Sequence, residues 1–247
     1  MIKLAAKKKV TEILSSIRKE GKLELTELDS KRILAAWGVP VNRTELARDL
    51  SEAVRAAREV RYPIVLKIAS PDIINKSEAK GVKVGLTSEL ELRQSFDELI
   101  NNARAYKPGA KILGVTIQEY LPPAREVIVG ALQDPSFGAT VMFGLAGVWA
   151  EVLKDTSFRL APLKAEDARE MIQEIKGYPV LAGIQRAPPA DIDALVDIIQ
   201  KVGQLAHEFP EMAEIYLNPI FAFDNGKGAV TAGARIILGE RGNVGRS

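Results

Sequence analysis

Tyr62-Pro63-Ile64-Val65-Leu66-Lys67-Ile68 is a near-continuous apolar run of strand length with a single ammonium group set inside it. Such a run predicts a β-strand covered on both faces. Taking an amine out of water is costly unless an anion answers it, so either a carboxylate or a bound phosphate belongs near Lys67. The alternative is a lysine at a strand end whose head snorkels to solvent.

Upstream of this strand, residues 4–20 read as an amphipathic helix ended by Gly21, and 27–37 as a second helix closed by Gly38. A short strand is predicted at Val39–Thr44, followed by a helix capped by Ser51 with Ala53, Val54, Ala57 and Val60 on one face. Downstream, a polar loop from Ser70 to Lys80 leads into Val82–Leu86. Ser88 and Glu91 form a capping box for a helix to Tyr106, and Ile112–Glu119 returns to the sheet. From Leu121 the texture turns to strands at Glu126–Leu132, Ala139–Phe143 and Val148–Leu153. Helices near 165–175 and 189–207 follow, then strands at Ala213–Phe223 and Gly228–Leu238 around Asp224-Asn-Gly226, a pair that favours the positive φ of a tight turn. A hinge near Tyr120–Pro123 would divide the chain into a helix at 1–26, a lobe at 27–120, a second lobe at 121–238 and a mobile tail at 239–247, with a cleft between the lobes.

Composition narrows the chemistry. The 247 residues, 47% of them hydrophobic, suffice for a substantial core. Thirty-four basic against thirty-two acidic residues leave a net charge of +2 with no basic stripe, which argues against nucleic acid as a partner. No stretch approaches the roughly eighteen apolar residues of a membrane span, and Lys7, Lys8 and Lys9 open no signal peptide, so the expected place of work is the cytoplasm. Without cysteine and with only His207, thiolate and histidine-cluster metal sites are excluded. His207 ends a helix without an evident catalytic partner.

Several residues invite a function while allowing a plain structural role. Glu119 closes a strand and Glu126 opens the next, where a carboxylate can accept a ribose hydroxyl or simply end a strand. Asp134-Pro-Ser-Phe-Gly138 and Gly144-Leu-Ala-Gly147 offer backbone amides to phosphate, or are hairpin turns; neither is a Walker or dinucleotide motif. Glu214, Tyr216 and Asn218 share a strand face because strand side chains alternate, so an oxygen pair there can meet magnesium or solvent.

In order, these segments resemble the β subunits of ADP-forming acyl-CoA synthetases, relatives of succinyl-CoA synthetase β, over about 27–238. The resemblance rests on Thr26-Glu-Leu-Asp-Ser-Lys31, Ala35-Ala-Trp-Gly-Val-Pro40, Tyr62–Ile68, Ser70-Pro-Asp-Ile-Ile-Asn-Lys-Ser77 with Gly81-Val82, and Asp134–Gly138. It continues through Met142-Phe-Gly-Leu-Ala-Gly-Val148, Glu151-Val-Leu-Lys-Asp155, Arg159–Leu163, Ala187-Pro-Pro-Ala-Asp191 and Asn218-Pro219. It implies a two-lobed α/β (α+β) ATP-grasp fold binding ATP or ADP with Mg2+. Lys67 would contact phosphate, Glu119, Tyr120 and Leu121 the adenine, and Glu126 would be a further nucleotide contact. Asn218 would be a metal ligand, with Glu214 as a second candidate. It also implies a hetero-oligomer with a CoA-binding α subunit carrying a phosphohistidine.

The pattern breaks at chemical positions. Asn75 stands at the place of the relay histidine, and a carboxamide cannot carry a phosphoryl group. Tyr216 replaces an acidic residue and Gly233 the aspartate expected as the other magnesium ligand. Lys80, Ala146, Gln185 and Arg186 stand where Gly, Gly, Arg and Gly are expected. The chain is thus either an altered enzyme subunit or a degenerate ATP-grasp pseudoenzyme serving regulation or assembly.

Overall fold

Four side chains set where helices begin. Thr26, Asp49, Ser88 and Asp191 accept the backbone N–H of Asp29, Glu52, Glu91 and Ala194, capping α2 (Glu27–Trp37), α3 (Leu50–Val60), α4 (Glu89–Tyr106) and α7 (Ile192–Glu208). The expected cap at Ser51 is corrected to Asp49, two residues earlier: Asp49 Oδ1 accepts the Glu52 N–H, and the Glu52 carboxylate accepts the N–H of Arg48, the residue before the cap. The computed structural model describes residues 2–19, 21, 23–147, 155–184 and 188–239. Within them lie also α1 (Ile2–Lys19), α5 (Ala165–Glu174) and α6 (Tyr178–Ala182), a short helix the sequence reading did not anticipate.

The strands are β1 (Thr44–Ala47), β2 (Ile64–Ala69), β3 (Val82–Leu86), β4 (Gly114–Glu119), β5 (Arg125–Asp134), β6 (Gly138–Leu145), β7 (Thr156–Leu160), β8 (Met212–Ala222), β9 (Ala229–Thr231) and β10 (Ala234–Leu238). They form a four-stranded sheet in the order β1-β4-β2-β3 and a six-stranded sheet in the order β10-β8-β5-β6-β7, with β9 on β8. Every ladder is antiparallel. The strand expected at Val39–Thr44 begins only at Thr44. The strand expected at Val148–Leu153 lies outside the described residues, as do Gln185, Arg186 and the tail beyond Gly239. In the turn after β8, Gly226 carries the positive φ of 78° and Asn225 does not, so this is not the mirror-image turn an Asn-Gly pair suggests.

Residues 42–122 form one compact unit; the residues up to Val41 and from Pro123 onward form the other. The expected boundary before Glu27 does not separate the units. Ile33, Leu34 and Trp37 of α2 are buried in the core of the second unit, and Ser30 Oγ accepts the Ile236 N–H at 3.1 Å. Trp37 also meets Phe209 edge-on, centroids 5.6 Å apart, while its Nε1 donates to the Lys201 carbonyl. In that unit α7 lies against β5 and β6, and Val127, Val129, Val141, Phe143 and Ile215 fill the interior.

In the unit of residues 42–122, α3 and α4 cover one face of the four-stranded sheet. Ile64, Leu66 and Ile68 point into that core and are fully buried, each contributing about 1.5–3 kcal/mol. Val65, Lys67 and Ala69 alternate with them on a half-open face, so the expectation of a strand covered on both sides is corrected. Gly114 opens β4 at a φ of 126°, and a Cβ there would lie 2.1 Å from the Ala47 carbonyl oxygen of β1. Gly114→Ala should lower unfolding stability by about 2 kcal/mol or more, read from denaturant midpoints.

Candidate nucleotide site

Parity along β2 and β4 gathers a polar group on the open face of the four-stranded sheet. Lys67 stands opposite Thr116, Val65 opposite Gln118, and Gln118 Nε2 donates to Thr116 Oγ1 at 3.1 Å. Thr116 and Gln118 are buried although they lie on the face away from the helices. The polar-apolar alternation Thr116-Ile-Gln118 was the signal for them, and the sequence reading passed over it.

Glu119 pairs with Ile64 and therefore belongs to the parity opposite to Lys67. Its carboxylate accepts the Arg43 N–H at 3.3 Å, and its carbonyl accepts Asn42 Nδ2 at 3.0 Å, so the chain end after β4 is fastened to the start of β1. Tyr120 and Leu121 follow half-buried, with the Tyr120 ring edge 4.0 Å from where a Cβ on Gly85 would lie.

Asn75 sits exposed in the loop between β2 and β3, and its Nδ2 donates to Glu78 Oε1 at 2.8 Å. The other Glu78 oxygen accepts the Tyr106 hydroxyl, which that carboxylate holds above the ordinary phenol range. Asp72 takes the Lys111 N–H and Lys107 Nζ, Asn102 donates to the Lys80 carbonyl, and Ile73 is buried. The loop is thus fastened along its length to α4 and the segment after it. Lys80, where glycine was expected, has a φ of 48°. Lys80→Gly should raise stability by about 1 kcal/mol in chemical denaturation, since it removes a left-handed non-glycine residue.

The remaining candidates belong to the other unit. Asp134 Oδ1 accepts the N–H groups of Ser136 and Phe137, so that turn spends its amides internally and offers them to no phosphate. Ala146 is buried and its N–H donates to the Glu126 carbonyl; the Glu126 carboxylate lies 3.6 Å from the position of a Cβ on Gly147. Asn218 Nδ2 donates to the Tyr216 hydroxyl at 3.1 Å. Glu214 is engaged by Arg235, with Nη2 to Oε1 at 2.6 Å, and the Arg235 guanidinium carbon lies 5.9 Å from the Tyr216 ring centroid. Arg235 is a member of this group that the sequence reading missed.

Gly233 is placed where a side chain has no room: a Cβ would meet the Asn218 carbonyl oxygen at 2.1 Å. The Asn218 N–H donates to the Gly233 carbonyl, which fixes that approach. Among the described residues, no three His, Cys, Asp or Glu side chains gather where they could hold a metal ion. A magnesium ion at the Asn218 amide oxygen would need phosphate and water oxygens to complete its shell.

The sequence matches the family described as the ATP-grasp domain over residues 16–238. This chain belongs to the ATP-grasp family. Within that family it is 50% identical over 230 residues to the β subunit of acetate–CoA ligase (ADP-forming) I of Pyrococcus furiosus, a match covering 93% of this chain and 98% of that one. Among solved structures, acetyl-coenzyme A synthetase 1 of Ca. Korarchaeum cryptofilum in complex with coenzyme A, Ca-AMPCP and HgCl+ superposes with a TM-score of 0.89 at 43% identity, covering 92% and 99% of the two chains. The same enzyme with coenzyme A and Mg-AMPPCP, its phosphohistidine segment pointing towards the nucleotide-binding site, gives a TM-score of 0.81 at 40% identity, covering 93% and 100%. The ATP-grasp chain described here is by descent a β-type chain of a ligase, with an α+β fold. None of its described helices is long and apolar enough to cross a membrane.

Because the Asn218 carbonyl fills the space beside Gly233, Gly233→Asp should cost about 2 kcal/mol through overpacking, measured by equilibrium unfolding.

Proposed function

We propose that the chain is the nucleotide-binding subunit of an ADP-forming acyl-CoA synthetase. The reading rests on one observation: the match spans 98% of a curated β subunit at 50% identity. The overall reaction would be acyl-CoA plus ADP plus phosphate giving acid, ATP and CoA. Phosphate displaces CoA from the thioester, and the resulting acyl phosphate gives its phosphoryl group to a histidine of a CoA-binding partner subunit. That phosphoryl group ends on ADP, and the free acid leaves. The complex is a hetero-oligomer working in the cytoplasm.

In this scheme Lys67 offers its ammonium group to the phosphates from the open face of the four-stranded sheet, beside Thr116 and Gln118. Glu119, Tyr120 and Leu121 border the adenine, and Glu126 takes a ribose hydroxyl. Asn218 would hold magnesium by its amide oxygen, and the ion would supply charge compensation at the phosphates. Asn75 has no nucleophilic nitrogen, so it takes no phosphoryl group; the partner's phosphohistidine would have to reach the nucleotide directly.

A second reading has its own support. The neutral Asn75 tied to Glu78 and the filled position at Gly233 suit a catalytically degenerate subunit that retains nucleotide or partner binding for regulation or assembly.

Melting the full chain with ADP or ATP tests the shared premise: at about one hundred times Kd the ligand should add roughly 2.7 kcal/mol, and no shift at millimolar nucleotide sinks it. Reconstitution with a relative's CoA-binding subunit then divides the readings. ATP formation from acyl-CoA, ADP and phosphate supports the ligase. Nucleotide binding without turnover supports the degenerate subunit.

A further inference from the structure

The open face of the six-stranded sheet carries a row that runs inward from its β10 edge across four strands. Arg235 of β10 pairs with Tyr216 of β8, Tyr216 with Gly130 of β5, and Gly130 with Met142 of β6. Gly130 has no side chain at the point where a Cβ would come within 3.8 Å of the Tyr216 ring and 3.4 Å of the Met142 methyl. The ring is thus seated over a glycine gap on one side and carries the Arg235 guanidinium on the other. Seated this way, Tyr216 carries its hydroxyl beside Asn218.

That hydroxyl accepts Asn218 Nδ2 at 3.1 Å. A carboxamide has one donor end and one acceptor end, so committing the nitrogen leaves Oδ1 for a cation. Among the described residues the neighbouring positions provide no free carboxylate: Glu214 is held by Arg235 at 2.6 Å, and Gly233 admits no side chain. We propose that Tyr216 is a positioning residue that holds the Asn218 carboxamide oxygen outward, building a magnesium contact from a neutral pair in place of carboxylates. This rests on the nucleotide-binding reading and adds to it the group that orients the contact.

The test compares ADP affinity of the full chain by calorimetry in EDTA and in saturating magnesium, for wild type, Tyr216→Phe, Asn218→Ala and the double variant. Phenylalanine keeps the ring, its seat over Gly130 and the Arg235 contact, and removes only the oxygen. The tightening by magnesium should fall about tenfold, or to unity, in Tyr216→Phe, while affinity in EDTA changes by less than about twofold. Asn218→Ala should lose the tightening too, and the double variant should lose no more than Asn218→Ala alone, because the two side chains act as one unit. Unchanged tightening in Tyr216→Phe, additive losses in the double variant, or no tightening in wild type would overturn the assignment while leaving nucleotide binding intact. No ADP binding by the folded wild type would instead remove the functional reading beneath it.

Discussion

An antiparallel sheet covered by helices on one face sorts its residues by parity, and both polar groups of this protein follow from that sorting. In the four-stranded sheet the same alternation that buries Ile64, Leu66 and Ile68 under α3 and α4 turns Lys67 outward. In the six-stranded sheet, burying Ile215 and Leu217 obliges Glu214, Tyr216 and Asn218 to share the opposite face. Core and chemistry are therefore not independent: a one-residue slip in β2 or β8 would send each amine, phenol or amide into an apolar interior.

The departures from the expected family pattern, which fall in both units, share a chemical direction. Asn75, Tyr216 and Gly233, where the family resemblance leads one to expect a histidine, an acid and an aspartate, are all uncharged. The structure accommodates each locally. Asn75 finds Glu78, Tyr216 finds Asn218 and Arg235, and Gly233 lets two backbones approach. Fewer negative charges beside a bound phosphate would lower repulsion towards the anion while weakening attraction for its metal ion, two electrostatic effects of opposite sign.

Much of the fold was legible because local chemistry and tertiary packing agree. The cap at Ser88, the left-handed Gly38 after α2 and the hydrophobic face of α3 all read through from sequence to structure. The errors have identifiable causes. Asp49 and Ser51 are both good caps, and only the bonds to Glu52 decide between them. The run Ile64–Ile68 looked buried on both sides because Val65 is apolar, yet half-open strand faces often carry valine. The side chains of Asn218, Tyr216 and Glu214 could be placed on one face from spacing alone. Arg235 could not, since only the pairing of β10 with β8 brings it to the Tyr216 ring.

The contact at Gly233 also bears on history. With the Asn218 carbonyl occupying the volume a side chain would need, no replacement at that position can introduce one without prising two backbone segments apart. Any lineage that carries this packing is constrained by it: a side chain gained there must pass through a less stable intermediate, so new adaptations are easier to build around the gap than across it.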